Sequence, residues 1–224
     1  MSAVEHYPAE RLTALASDWL ASRYPDALIV REFCVGVWGG ALIDLAAITE
    51  TEIIGLEIKG DGDSPTRLKL QASLYAKAAQ RMYLLPAPSI FSRCAKAETP
   101  GWRLLAIEGG QIVGHGWHAD DPPPLLPTAP GQLLQALWKD ELGKVAMWTG
   151  APVSPSLGCE GRRSILAETT TLKTLIPAVC RALRERDWHG EGLGHKVRWA
   201  NPTPANTPAP RPPLPPLIDP AWAA

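Results

Sequence analysis

Apolar and polar positions along the N-terminal half of the chain follow two periods, and each period predicts an element. Leu12, Leu15, Ala16, Trp19 and Leu20 recur at helical spacing. Pro8 precedes them, and proline suits a first helical turn because the N–H it lacks has no partner there. Residues 28–35 then form a β-rich run that ends among Gly36, Gly39 and Gly40. Residues 42–48 and 53–59 read as a second and a third strand, and the polar stretch 49–52 between them suits a hairpin. Ser64-Pro65 caps a further helix with Leu68, Gln71, Ala72, Tyr75 and Ala79 on one face. Residues 82–85 read as a buried strand, and 103–107 with 112–117, joined through Gly109-Gly110, as a closing hairpin. The expected class is α/β: a mixed central sheet flanked by helices, with a small C-terminal helical region.

Proline divides the chain. Residues 119–130 are proline-rich and lack periodicity, so they read as an extended linker between a core of residues 1–118 and a helical region of residues 131–188. Residues 189–224 are again proline-rich and read as a disordered tail. The Arg211-Pro-Pro-Leu-Pro-Pro stretch in that tail superficially suggests an SH3-type ligand, and a linker is the plainer explanation.

Composition narrows the function classes. With 224 residues, 46% of them hydrophobic, there is enough chain for a full α/β core. No apolar stretch is long enough to span a membrane, and the acidic N-terminal residues Glu5, Glu10 and Asp18 do not suit a signal peptide. Cys34, Cys94, Cys159 and Cys180 are far apart with no CxxC pair, so reduced thiols in a cytoplasmic protein are expected. A net charge of −1 gives no general attraction to nucleic acid. Any basic surface must be local, and Arg67, Lys69, Arg162 and Arg163 lie in the two basic clusters that can contact phosphates.

The third strand carries the chemistry. Alternation points Ile54, Leu56 and Ile58 one way and Glu57 and Lys59 the other, so a carboxylate and an ammonium share a face. Asp44 sits mid-strand between Ile43 and Leu45, where a solvated acid is out of place. Buried carboxylates cost several kcal/mol unless paired or bound to a metal. On adjacent strands Asp44 and Glu57 can share one Mg²⁺ (or Mn²⁺), and Lys59 can orient or deprotonate a water. That set suits metal-assisted phosphodiester hydrolysis.

Ile43-Asp44, then twelve residues, then Glu57-Ile58-Lys59 resembles the PD-(D/E)XK nuclease superfamily, with Ile43 in place of the proline of that name. Glu32 on the preceding strand matches an accessory acid of several branches, and residues 67–75 are similar to the RLxxQxxxY helix of small bacterial members. The likeness covers residues 9–85, more weakly to Val113; residues 134–142 and 162–186 are similar to the C-terminal part of a small bacterial and prophage branch. The resemblance implies a restriction-endonuclease-like fold and a Mg²⁺-dependent deoxyribonuclease. Asp44, Glu57 and Glu32 would be metal ligands, Lys59 would assist the attacking water, and Gln71 would support the site.

Plainer readings stand beside these. Glu57 and Lys59 can be a solvent-face ion pair, Asp44 a turn acid, Gln71 a core amide and Tyr75 core packing. Glu10 lies on the solvent face of its helix. His115 and His118 lack the neighbouring ligands zinc needs, and two C-terminal cysteines are too few for an iron–sulfur cluster. At the level of the molecule the alternatives are a non-catalytic nucleic-acid-binding module and a phage or mobile-element interaction protein acting through its proline-rich segments.

Overall fold

The computed structural model describes residues 6–36, 41–116 and 119–188. The proline-rich tail, with Arg211, and also His118 lie outside the described residues. Helix α1 (Ala9–Arg23) follows Pro8 and buries Leu12, Ala16 and Leu20. Strands β1 (Leu28–Cys34), β2 (Leu42–Ile48) and β3 (Ile53–Lys59) form an antiparallel meander. Thr49 closes the tight β2–β3 turn: its hydroxyl accepts the N–H of Glu52 at 2.9 Å. A 3₁₀ turn (Pro65–Arg67), capped by Ser64, leads into α2 (Leu68–Tyr75). The chain then enters β4 (Arg81–Pro86), which pairs parallel with β3.

A one-turn helix α3 (Phe91–Cys94) precedes β5 (Trp102–Glu108) and β6 (Gln111–Gly114). Strand β5 is parallel to β4, and β6 returns antiparallel through Gly109 and Gly110. Both glycines have positive φ (58° and 78°), a region that disfavours side chains. The result is a mixed six-stranded sheet in the order β1-β2-β3-β4-β5-β6. Helix α2 ends at Tyr75, one turn short of the stripe expected to reach Ala79. Gln80 explains the stop, because its side chain accepts the Ile53 N–H at 2.7 Å and fixes where the chain must turn into β4.

Apolar clusters cover both faces. On one, Leu12, Ala16 and Leu20 of α1 meet Leu45, Ala47, Ile54, Leu56 and Ile58. On the other lie α4 (Pro130–Leu133), α5 (Lys139–Thr149), α6 (Cys159–Thr169) and α7 (Leu172–Arg184). Leu142, Leu166, Leu175, Val179 and Leu183 of these helices share one cluster with Val30, Phe33, Ile43, Ala46 and Ile48 of the sheet. The helical region read from the sequence as lying behind a linker is thus the second layer of the same core. The linker itself runs across the end of the sheet: Leu126 and Ala129 donate to the carbonyls of Gln80 and Lys77 at 2.9 Å.

Candidate active site

All seven residues of β3 are buried, so the polar ones need partners. Ile54, Leu56 and Ile58 face α1. Glu57 and Lys59 therefore face the other way, toward α2, at 1% and 6% exposure. Lys59 Nζ donates to Glu57 Oε1, and Gln71 Nε2 donates to the same oxygen at 2.7 Å. Gln71 Nε2 also reaches Tyr75 Oη at 3.1 Å, and that hydroxyl donates to the Leu42 carbonyl, which ties α2 to β2. Tyr75, expected as plain packing, does pack, stacking on Trp102 at 5.9 Å, but its hydroxyl belongs to this network.

Asp44 enters through a break in the sheet. The β2–β3 ladder ends at Leu45–Leu56, and beyond it Asp44 Oδ2 accepts the Ile58 N–H at 2.7 Å in place of a backbone carbonyl. Across β1, Val30 and Phe33 are three residues apart yet lie in the same cluster, as do Ile43 and Ala46 on β2. Regular alternation forbids that. The face switch falls at Glu32 and Asp44, with no residue inserted in the register, and Glu32 takes φ 50°. Both strands turn over at the level where the carboxylate is needed.

A cleft of about 460 Å³ opens over these groups. Asp44, Glu57 and Lys59 form its floor, with Arg67, Leu70, Gln71 and Leu74 on one wall and Ala9 and Thr13 of α1 on the other. The loop after β3 lets α1 come this close: a Cβ on Gly60 would stand 2.7 Å from the Ala9 nitrogen. Burial, then the Asp44 charge, push the Glu57 carboxyl up to about 7, against the opposing pull of Lys59 and Gln71. Burial also raises Asp44, helped by the charges of Asp63 and Glu32 and opposed by the Ile58 N–H and Lys59. Tyr75 is raised chiefly by burial and then by the Glu57 charge.

Two acceptors in the floor lack a donor: Glu57 Oε2 and Gln71 Oε1 are buried without a hydrogen-bond partner. A buried acceptor of this kind favours a donor or a cation as its partner. Lys59 and Gln71 hold Oε1 and leave Oε2 beside Asp44's cleft, an arrangement of hard oxygen donors that fits a small divalent cation. Among the described residues no group of three or more His, Cys, Asp or Glu is arranged to hold a metal. The fit therefore rests on two carboxylates, which is what Mg²⁺ takes when water and phosphate complete its shell.

Asp44, Glu57, Lys59, Gln71 and Arg67 thus converge. Glu32 does not line the cleft; it is exposed and acts on Asp44 through its charge, which removes it from the expected ligand set. Lys69 does not line the cleft and pairs with Glu98 at 2.6 Å. Glu10 does not line the cleft either.

Arg162 and Arg163 are corrected outright as phosphate contacts. Arg162 is 8% exposed and donates to the carbonyls of Leu157, Lys139 and Pro155; Arg163 donates to those of Leu134 and Leu137. Their guanidinium groups hold the helical layer together. Asp63, which accepts the Gly60 N–H at 2.7 Å and lines the cleft, was missed. Its signal was present, since it follows Lys59 by four residues in a Gly-Asp-Gly-Asp turn. His115 packs edge-on against Phe91 at 4.8 Å, and all four cysteines are unpaired. No helix of the described residues is long and apolar enough to cross a membrane. No protein-family model, no curated protein and no solved structure matches the chain.

Proposed function

We propose that this chain is a divalent-metal-dependent deoxyribonuclease with a restriction-endonuclease-like core. The observation that carries the reading is the floor of the cleft: a buried Glu57 with one oxygen held by Lys59 and Gln71 and the other without a partner, in a cleft shared with Asp44. The order α1, three-stranded meander, α2 and parallel β4 supports it, being the element order expected for that core.

Asp44 and Glu57 are the residues that would hold Mg²⁺ or Mn²⁺. When bound, such an ion supplies Lewis-acid polarisation of a phosphodiester oxygen and offsets the repulsion between the two acids. Lys59, fixed on Glu57, keeps an ammonium beside the reacting phosphate, where negative charge develops, and can orient the attacking water. Gln71 uses its amide nitrogen to hold Glu57 and leaves Oε1 to accept a hydrogen bond from that water. Arg67 on the cleft wall is placed for a neighbouring phosphate of the DNA. The four unpaired cysteines suit a reducing cytoplasm. A non-catalytic binding module of the same fold would have no use for an acid pair and lysine kept together at the cost of burial.

Incubation of plasmid DNA with and without Mg²⁺ or Mn²⁺ tests the proposal. Cleavage is expected only with the metal, and Asp44→Ala, Glu57→Ala and Lys59→Ala should each abolish it while remaining folded. A folded triple variant that cuts like the wild type ends the proposal.

A further inference from the structure

We infer that Asp61 is a positioning residue: it fixes the α1 wall of the cleft against its floor and so sets how tightly DNA is seated there. This rests on the nuclease reading above. Asp61 stands two residues after Lys59, in the loop that leaves β3. Its carboxylate joins two segments that are distant in sequence. Oδ2 accepts the Tyr7 N–H, 54 residues earlier, and Oδ1 accepts the hydroxyl of Ser89, 28 residues later, in the 3₁₀ turn (Pro88–Ile90) that follows β4. The Asp61 N–H donates back to the Tyr7 carbonyl at 3.2 Å, so the two residues hold each other by two bonds. His6 also pairs with Oδ2 at 2.6 Å, but its side chain is 74% exposed and adds little.

The wall depends on this tie. Pro8 gives α1 no side-chain cap, so the entry of the helix is fixed from outside it. Tyr7, 2% exposed, anchors the chain two residues before Ala9, which lines the cleft and lies against Gly60. The Ser89 hydroxyl, and after it the Tyr7 N–H and His6, hold the Asp61 carboxyl below its ordinary value, which keeps it an ionised acceptor at neutral pH. The floor is held separately: Lys59 and Gln71 bond Glu57, and the Ile58 N–H holds Asp44. Loss of Asp61 therefore frees the wall and spares the groups that react. Contacts with the wall are made alike by bound DNA and by the transition state, so their loss belongs in KM and not in kcat.

The test measures kcat and KM on labelled DNA with Mn²⁺, together with amide hydrogen exchange at the start of α1, for wild type, Asp61→Ala, Asp61→Asn and Ser89→Ala. Asp61→Ala should raise KM at least about fivefold, change kcat by less than about twofold, and speed exchange of the Tyr7 N–H and the first turn of α1. Asp61→Asn keeps an acceptor for the Tyr7 N–H and should recover most of the lost KM. Ser89→Ala leaves the Tyr7 pair intact and should give a smaller rise in KM. A residue that only stabilises the fold would lower the melting temperature and leave KM unchanged; that result overturns the inference and leaves the nuclease intact, as does a fall in kcat with KM unchanged. Should Asp61→Ala not fold, Ser89→Ala decides, and a KM indifferent to it overturns the inference. If wild type and Glu57→Gln alike cut no DNA, the nuclease reading itself has failed, and this inference with it.

Discussion

At the scale of residues, Glu57 is the strained member of the site. Its carboxyl titrates near 7 in the folded chain against 4.5 in an unstructured one, so the folded state keeps a proton that the unfolded state has released across that window. Metal-free stability therefore falls as pH rises from about 4.5 to about 7. Glu57→Gln removes the proton uptake, and its melting temperature in EDTA should rise relative to wild type as pH increases over that range. A constant difference between the two would show that the carboxyl is not displaced upward. Gln71 can be tested separately. Gln71→Ala should cut turnover by about 10–100-fold, the usual cost of losing a partner that orients a metal ligand, and should raise the Glu57 pKa further because a donor to its charged form is lost. A core amide with no part in the reaction would instead lower stability and leave turnover normal. Side-chain alternation on β3 was enough to place Glu57 and Lys59 on one face. Residue type was not enough for Arg162 and Arg163: a basic residue on a helix looks the same in sequence whether it meets a phosphate or caps three carbonyls. Arg162→Lys should accordingly lower the melting temperature and leave KM for DNA unchanged.

At the scale of elements, the β2 and β3 spans followed from the strand pattern because a short polar turn separates two continuous apolar runs. What periodicity does not carry is the interruption within a strand. Nothing in the local pattern marks Glu32 as the point where β1 turns over, since a non-glycine residue at φ 50° breaks the preference that pattern reading relies on. The conformation costs about 1–2 kcal/mol and stands across from the one β2 residue that must leave its ladder. Glu32→Val should therefore destabilise by at least about 1 kcal/mol, whereas Glu32→Gly should be close to neutral, because relief of strain offsets the greater chain entropy of glycine. Denaturant melts of the two variants separate this from a role of the carboxylate itself, which would make both changes equal. The early end of α2 had a similar origin: the Gln80–Ile53 bond that stops it spans 27 residues.

At the scale of the whole molecule, the C-terminal helices are a supporting layer. Glu141 shows how tightly it is made: it caps Trp138 N at 2.7 Å and takes two bonds of 2.6 Å from Arg186, with both side chains almost fully buried. Arg186 in turn lies over the rings of Trp138 and Trp188 at 4.3 and 4.6 Å. Glu141→Ala should cost about 3–5 kcal/mol, because a buried guanidinium loses its counter-charge. The proline run at residues 119–130 suggested separation from the core, and local composition cannot reveal that Leu175, Val179 and Leu183 complete the far face of a sheet begun at residue 28. The layer matters to the site because Tyr75, whose hydroxyl links Leu42 to Gln71, belongs to the same apolar cluster. The proposal that Asp44 and Glu57 would hold a divalent cation for phosphodiester hydrolysis is tested most directly by the single-turnover cleavage rate of labelled DNA titrated with Mg²⁺ for wild type and Glu57→Gln. The wild type should show no cleavage in EDTA and a saturable rise with Mg²⁺, and the variant a loss of at least about 100-fold at equal folding, corresponding to about 2.7 kcal/mol. A variant as fast as wild type, or a wild-type rate indifferent to Mg²⁺, would contradict the account.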